Sequence, residues 1–379
     1  MSLDLLPDSC LINIFSCVNS IHDISRCLRV CSRWNRLMRK LMPKVKYLIR
    51  ENCDFQGSRV ARFMDIVFYC RPRDLVKLRI MDILPNLKII DMTGVRRNRL
   101  SKHEIETLKK TQSLKGLIYR IGLFDFNVAK FCPNLRYLST EYLSPADTFA
   151  LSKIGLTQLF VGDCFMSSLF SPTLVRLHIS DCNFGTYNGP DLKNLKILEI
   201  SAFIWSKDTP YNGFSLINRC PALESVFMKI TGNFTFSQGD IVTNFNIRDF
   251  ILESFDCEWD LIKKILVRYP NIKHLAIREN VKIDDSCVFE IIDLLPNLVL
   301  LDLRESPQLT KQSAAYIRRY NRIHNTCIKF YYKNDVQIIC DWKTLSYRPR
   351  RIVQGIDFMK HCFLQTFEQL PHFMNSKDD

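Results

Sequence analysis

The sequence predicts an α/β chain: a short N-terminal helical module followed by a right-handed α/β solenoid with a parallel concave sheet. Three observations predict it. The first forty residues space their apolar side chains for short helices. A leucine-based phrase then recurs down most of the chain, and proline separates a helical from an extended pattern in several copies. A length of 379 residues is long for one ordinary core, which suits an elongated array. The 47% hydrophobic content fits a folded chain and argues against disorder.

Leu11, Ile14, Phe15 and Val18 fall at i, i+3, i+4 and i+7, one face of a helix. Pro7 suits its first turn, where a missing N–H costs nothing. Asn19 and Ser20 break the run, and Ile24, Cys27, Leu28 and Cys31 make a second stripe. Trp34, Leu37, Met38 and Leu41 continue the pattern until Pro43 stops it. Two or three such helices bury too little to stand alone. They should offer an apolar ridge to a partner, or else cap the array that follows.

The order of these residues is specific. Leu6-Pro7, Ile14-Phe15, Val18, Asp23-Ile24, Leu28, Val30-Cys31 and Trp34 resemble the F-box motif. Ser9 stands where that family often has an acid, and Val18 where it usually has Leu. The resemblance implies docking on the Skp-type adaptor of a cullin/RING (SCF) ubiquitin ligase. Leu6, Pro7, Leu11, Ile14, Phe15, Val18, Ile24, Leu28, Val30, Cys31 and Trp34 would be the adaptor-binding residues. A helix-turn-helix DNA reader is a further alternative, because Arg26, Arg29, Arg33, Arg36, Arg39 and Lys40 crowd the segment, although Ser25, Ser32 and Asn35 support base contacts only thinly.

The recurring phrase reads LPNLKIIDM from Leu84, CPNLRYLST from Cys132, SPTLVRLHIS from Ser171 and KNLKILEIS from Lys193. It returns as CPALESVFM from Cys220, YPNIKHLAI from Tyr269 and LPNLVLLDL from Leu295, with looser copies at Leu75, Leu114, Leu156 and Ile247. The shortest step, Leu156 to Leu174, is 18 residues and the longest, Leu195 to Leu223, is 28. Within the phrase, Leu301 and Leu303 keep the two-residue period of a strand. Ahead of it, Val288, Ile291, Ile292 and Leu295, like Leu261, Ile262, Ile265 and Tyr269, keep helical spacing. Proline then turns helix into strand. Copies between Leu135 and Leu195 are too close for full helices, so extended or single-turn connections are expected there. LxxLxxxxC in Leu156–Cys164 and Leu174–Cys182 resembles the cysteine-containing leucine-rich repeat of F-box proteins. Another right-handed α/β array remains the alternative. The expected division is F-box 1–42, leucine-rich-repeat solenoid 43–333 and tail 334–379.

Residues alternating with the buried leucines should face the concave side. There Tyr137, Phe160, Ile197, Phe227, Ile251 and Leu300 make an apolar spine amid charges of both signs. Such a surface suits a protein better than a phosphate backbone, which needs a row of cations. Tyr137, Phe160, Arg176, His178, Phe227, Lys229, Ile251, Arg278 and Arg304 are the expected substrate contacts. The formal charge of +14 sits elsewhere: Arg33 to Arg50, Arg96, Arg97, Arg99, Lys109, Lys110, Arg318, Arg319, Arg322, Arg348, Arg350 and Arg351. That is mainly a solvated outer surface, or else a seat for an acidic partner or tail. In the tail, Phe358, Cys362, Phe363, Phe367 and Leu370 form an amphipathic stretch, expected to cap the last repeat; folding back into the concave groove is the alternative, one that the spacing does not support.

No Gly-rich phosphate loop, GxSxG or HExxH occurs. The 15 cysteines include no CxxC pair, which reads as buried reduced thiols with no metal and no cofactor expected. The start carries no basic stretch of a secretion signal, and no apolar run approaches the ~20 residues of a membrane span. A soluble cytoplasmic or nuclear protein, not an enzyme, is the expectation. Its candidate roles are substrate receptor of a ubiquitin ligase, non-degradative F-box/leucine-rich-repeat scaffold, or nucleic-acid binder through a basic outer surface.

Overall fold

The computed structural model describes residues 3–50, 66–69, 80–93, 113–119, 132–143, 151–164, 170–180, 185–204, 211–232, 234–236, 241–333, 335–346 and 350–375. Leu75, Arg96, Arg97, Arg99, Lys109, Lys110, Cys182, Arg348 and the Cys164 side chain, singled out above, lie outside the described residues. The chain divides into two compact units: 1–142 with 153–156, and 143–152 with 157–379.

The first unit opens with three helices, α1 (Asp8–Phe15), α2 (Ile21–Cys27) and α3 (Ser32–Leu41). Pro7 sits immediately before α1, and the Cys31 sulfur caps α3 by accepting from the Trp34 N–H. Leu11, Phe15, Ile21, Ile24, Leu37 and Met38 make their shared core. Phe15 meets Trp34 edge-on, with ring centroids 4.9 Å apart. Strands β1 (Tyr47–Arg50) and β2 (Ile66–Tyr69) follow, then the single turn α4 (Ile80–Ile83). Strands β3 (Ile89–Asp91), β4 (Gly116–Ile118) and β5 (Tyr137–Leu143) complete the unit, all parallel in the order β2-β1-β3-β4-β5. The three helices belong to the same compact unit as the strands that follow them. The Asn19 carbonyl accepts from the Phe68 N–H at 2.6 Å, tying the α1–α2 turn to β2.

Among the described residues, the second unit carries eight sequential parallel strands. They are β6 (Gln158–Cys164), β7 (Arg176–Ile179), β8 (Ile197–Phe203) and β9 (Ser225–Thr231), then β10 (Asp249–Glu253), β11 (His274–Arg278), β12 (Leu300–Arg304) and β13 (Lys329–Lys333). Helices grow along the outer layer as the repeats lengthen. The turn α5 (Phe214–Ile217) is followed by α6 (Trp259–Leu266), α7 (Asp285–Leu294) and α8 (Lys311–His324). Residues 185–196, in the shortest repeats, contain no helix, as their spacing requires. One set of strand residues, Leu275 and Ile277 for example, is fully buried toward the helices. The other set forms rows across the opposite face, one running His178, Glu199, Phe227, Ile251, Ala276, Asp302, Tyr331.

Asparagine before the first apolar residue of the phrase has its own task. Asn194 Nδ2 donates to the Pro172 carbonyl, Asn246 to that of Pro221 and Asn271 to that of Phe245, at 2.8 to 3.0 Å. Asn86 does the same to Pro43 in the first unit. Each amide fastens one repeat to the one before it. At the other end of the strands, buried Asn280 donates to the Ser254 and Cys257 carbonyls and accepts from the Lys282 and Ile283 N–H groups. No helix among the described residues is long and apolar enough to cross a membrane.

Asn280→Ala strands two carbonyls and two N–H groups in a dry site, and should cost about 2–3 kcal/mol in chemical denaturation. The exposed Asn297→Ala should cost less than about 1 kcal/mol by the same measurement.

Candidate functional site

The outer face of the helical module is the first candidate. Leu11 and Phe15 point inward, so α1 turns Ile14 outward, where it is 42% exposed. Leu3, Leu5 and Val30 are exposed at 50%, 78% and 57%, and Pro7 and Cys31 are also exposed. The expected adaptor residues therefore divide. Leu11, Phe15 and Ile24 build the module; Pro7, Ile14, Val30 and Cys31 face solvent; Leu6, Val18, Leu28 and Trp34 are half-buried. Leu3 and Leu5, just ahead of the Leu-Pro pair, join the exposed apolar set and escaped the sequence reading because no spacing links them to α1.

An ion pair fixes this face. Asp8, in the first turn of α1, accepts from Arg33 at 2.7 Å, and Arg36 approaches at 3.5 Å. Arg33 also donates to the Leu6 carbonyl at 2.6 Å. The Arg33 hydrogen bond and neighbouring cations hold the Asp8 carboxyl below its ordinary range. Arg33 is thus occupied inside the module, while Arg29, Arg36, Arg39 and Lys40 remain exposed.

Residues 3–41 match the F-box-like family model. That segment is F-box-like. No curated protein matches the chain. The solved structures to which it is similar include three that differ in kind. The crystal structure of a TLR13–ssRNA13 complex gives a TM-score of 0.44 at 16% identity, over 67% of this chain and 37% of that one. The APL1 leucine-rich repeat domain gives 0.38 at 11% identity, over 69% and 75%. The yeast Rad7 and Elc1 complex gives 0.39 at 15%, over 81% and 90%. The chain thus spans little more than a third of the TLR13 chain. Behind the F-box-like segment, repeat phrases form successive parallel strands with outer helices, an α/β solenoid of the leucine-rich-repeat type.

The strand face of the second unit is the second candidate, and here the structure corrects the sequence reading. The face is not open. Residues 335–346 and 350–375 fold across it as irregular chain: α9 (Gln337–Asp341), β14 (Ile352–Gln354), α10 (Phe358–His361), a 3-10 turn at Phe367–Gln369 and β15 (Phe373–Asn375). Ile197, Phe227, Ile251, Ala276, Leu300 and Tyr331 form one core with tail residues that include Phe358, Phe363, Phe367, Leu370 and Met374. The tail does more than cap the last repeat.

Polar side chains bind the tail through its backbone. Buried Arg176 pairs with buried Glu199 at 2.7 Å and donates to the Pro371 and His372 carbonyls at 2.6 and 3.2 Å. His178 meets the same carboxylate at 2.9 Å, while Phe160 lies between the His178 and His372 rings at centroid distances of 3.7 and 4.3 Å. Arg278 bonds Asp302 at 3.1 Å and the carbonyls of Phe363 and Gln365. Lys229 pairs with Glu368, and Gln158 exchanges both amide hydrogen bonds with Met374. Arg304 is held by Asp302 at 2.8 Å. Tyr137 belongs to the first unit, where it is buried on β5.

Of the expected substrate contacts, then, Phe160, Arg176, His178, Phe227, Lys229, Ile251 and Arg278 do face the groove. Their partners are the chain's own tail and one another. The reason is physical: the apolar spine, left open, would expose a continuous strip to water. The alternation of the strands was legible, but the tail's contacts follow no single period.

Burial drives the proton balance of this site. It opposes the charge on Glu199, but Arg176 and His178 more than offset it and hold the carboxyl below its ordinary range. Burial holds His178 below its ordinary range despite Glu199, and pushes His372 down to about 3. It raises Glu253 to about 7, against the pull of Arg278. A histidine depressed in the fold makes stability fall as pH drops below its unfolded value near 6.5. Glu253, raised in the fold, works oppositely between about 4.5 and 7. The histidine loss should therefore be partly masked above pH 4.5 and unopposed by Glu253 below it. His372→Phe, which keeps a ring against Phe160, should flatten the decline in stability between pH 6 and pH 4, measured by denaturant titration at each pH.

Proposed function

We propose that this chain is a non-catalytic substrate receptor of an SCF-type ubiquitin ligase, its F-box-like segment docking a Skp-type adaptor and its solenoid carrying a protein substrate. The observation that supports this most is the exposed apolar set Leu5, Pro7, Ile14, Val30 and Cys31 on a segment that matches the F-box-like model. A module whose core uses only one side of its helices, and leaves isoleucine, valine and leucine in water on the other, is stabilised by a partner that covers them. Pro7, Ile14, Val30 and Cys31, with the half-buried Leu6, Val18, Leu28 and Trp34 at the rim, are the adaptor contacts. Leu11, Phe15 and Ile24 act through them by holding the helices together.

The filled groove constrains the receptor role. A substrate held by this arm meets the outside of the tail, the strand-end loops or the outer helices, and the groove cations are already spoken for by Glu199, Asp302 and tail carbonyls. Nucleic acid therefore gains no cationic track in the groove. Receptor work of this kind belongs in the cytoplasm or nucleus. A non-degradative scaffold would use the same adaptor face and differ only in the absence of ubiquitin transfer.

Purified chain should co-elute with a Skp-type adaptor, and Ile14→Asp with Val30→Asp should weaken the complex by about a hundredfold or more in titration calorimetry, as expected for hot-spot apolar contacts. Wild-type chain that leaves the adaptor unbound, or a double variant that binds equally well, would sink the reading. Adaptor binding without ubiquitin transfer to a captured partner would instead favour the scaffold.

A further inference from the structure

The last helix of the outer layer, α8, carries charge that the fold does not answer. Lys311, Arg318, Arg319 and Arg322 are all exposed, and with exposed Ala315 they fall at i, i+4, i+7, i+8 and i+11. At 100° per residue that is one face, about 16 Å long. The opposite side of the helix is sealed by buried Ser313 and Ile317. The first turn of α8 has no acidic residue of its own and carries Lys311; Asp285 of α7 meets that end, accepting from the Thr310 N–H at 3.0 Å and from the Thr310 and Ser313 hydroxyls. Arg318 and Arg322 are four apart, a spacing at which like charges repel.

Several other exposed cations of the outer layer are answered across neighbouring repeats. Lys196 pairs with Glu224, Arg219 with Asp191, Lys263 with Glu290, and Lys282 with Asp256 and Glu258. Among the described residues the four cations of α8 enter no ion pair. A partner carrying carboxylates at matching intervals would supply what the next repeat supplies elsewhere.

The form of that partner follows from the rest of the face. Ala315, at its centre, lets another helix approach the backbone closely, and Ile323, 63% exposed at its edge, gives an apolar anchor. The aromatic rings beside it are already in use: Tyr316 lies 4.2 Å from Phe289 and Tyr320 4.2 Å from His324. Single-stranded nucleic acid needs free ring faces beside its cations, and these rings pack against other rings at tilted angles. We propose that the outer face of α8 docks an acidic amphipathic helix of a protein partner, its carboxylates on Lys311, Arg318, Arg319 and Arg322 and its apolar seam on Ala315 and Ile323.

This second docking face does not rest on the adaptor reading, and its test uses the full chain without adaptor. The probes are a labelled amphipathic helical peptide with glutamates beside a leucine seam, the same peptide with glutamines, and a uridine-rich single-stranded oligonucleotide. The glutamate peptide should bind in fluorescence anisotropy, more tightly at low salt, and Arg318→Glu with Arg322→Glu should weaken it at least about tenfold. Lys264→Glu with Lys273→Glu, an equal change in net charge on exposed residues away from this face, should weaken it less than about twofold by the same screening argument. Circular dichroism checks the fold, and Arg318→Gln with Arg322→Gln replaces the reversal if it perturbs α8. The proposal is overturned if the glutamate peptide does not bind, if the glutamine peptide binds as well, or if both charge pairs matter equally. It is also overturned if the oligonucleotide binds more tightly through the same arginines.

Discussion

The constraint on which the second unit depends is that a parallel sheet has two apolar faces and outer helices can cover only one. Repeats stacked in register place Phe227, Ile251 and Ala276 side by side on the inner face, each fully buried in the finished fold. Water would meet that strip directly if nothing lay over it. The chain solves this with its own C-terminal segment, and places Phe363 and Met374 there with no exposure at all. Burying one such side chain contributes about 1.5–3 kcal/mol. Irregular chain carries unpaired carbonyls into a dry groove, and Arg176 and Arg278 answer them while Glu199 and Asp302 neutralise the guanidinium charges. The buried ion pairs are therefore parts of the tail's seat. Removing one member would leave an uncompensated charge beside an apolar core.

The F-box-like segment obeys the opposite economy. Its three helices share one small core around Leu11, Phe15, Ile24 and Leu37, and the turn at Asn19 is fastened to β2. That leaves Leu5, Ile14 and Val30 in water. One region of the protein hides an apolar face with its own chain, and the other keeps one open. Seen together, they separate apolar surface that the chain covers itself from apolar surface that it leaves exposed. The arginines of α8 are likewise exposed.

Much of this was legible in the residues. Leu11 and Phe15 at helical spacing gave α1, and the recurring phrase gave parallel strands whose inward and outward residues alternate as expected. Arg176, His178 and Phe227, expected on the concave side as substrate contacts, lie on the strand face under the tail. What lies against that face was not legible, because the tail is built from single turns, two three-residue strands and loops, none long enough to carry a period. Its backbone-directed bonds to Arg278 and Gln158 connect residues tens to hundreds of positions apart. The mixed charge on the inner face was a signal in hindsight: Glu199 and Asp302 are there to balance arginines whose task is to hold carbonyls. The asparagines of the phrase were visible as letters, but their bonds to the preceding repeat depend on register, which only the stacked strands define.

Hydrogen exchange resolved by residue tests most directly the claim that the tail is part of the fold and not a detachable cover. The amides of Cys362, Gln365, Phe373 and Met374 are bonded to Phe358, Cys362, Arg351 and Gln158. They should exchange with the same protection as those of β9 to β11, and lose it in the same unfolding step. Tail amides that exchange at the rate of an unfolded peptide while β9 to β11 stay protected would contradict the account and restore an open groove.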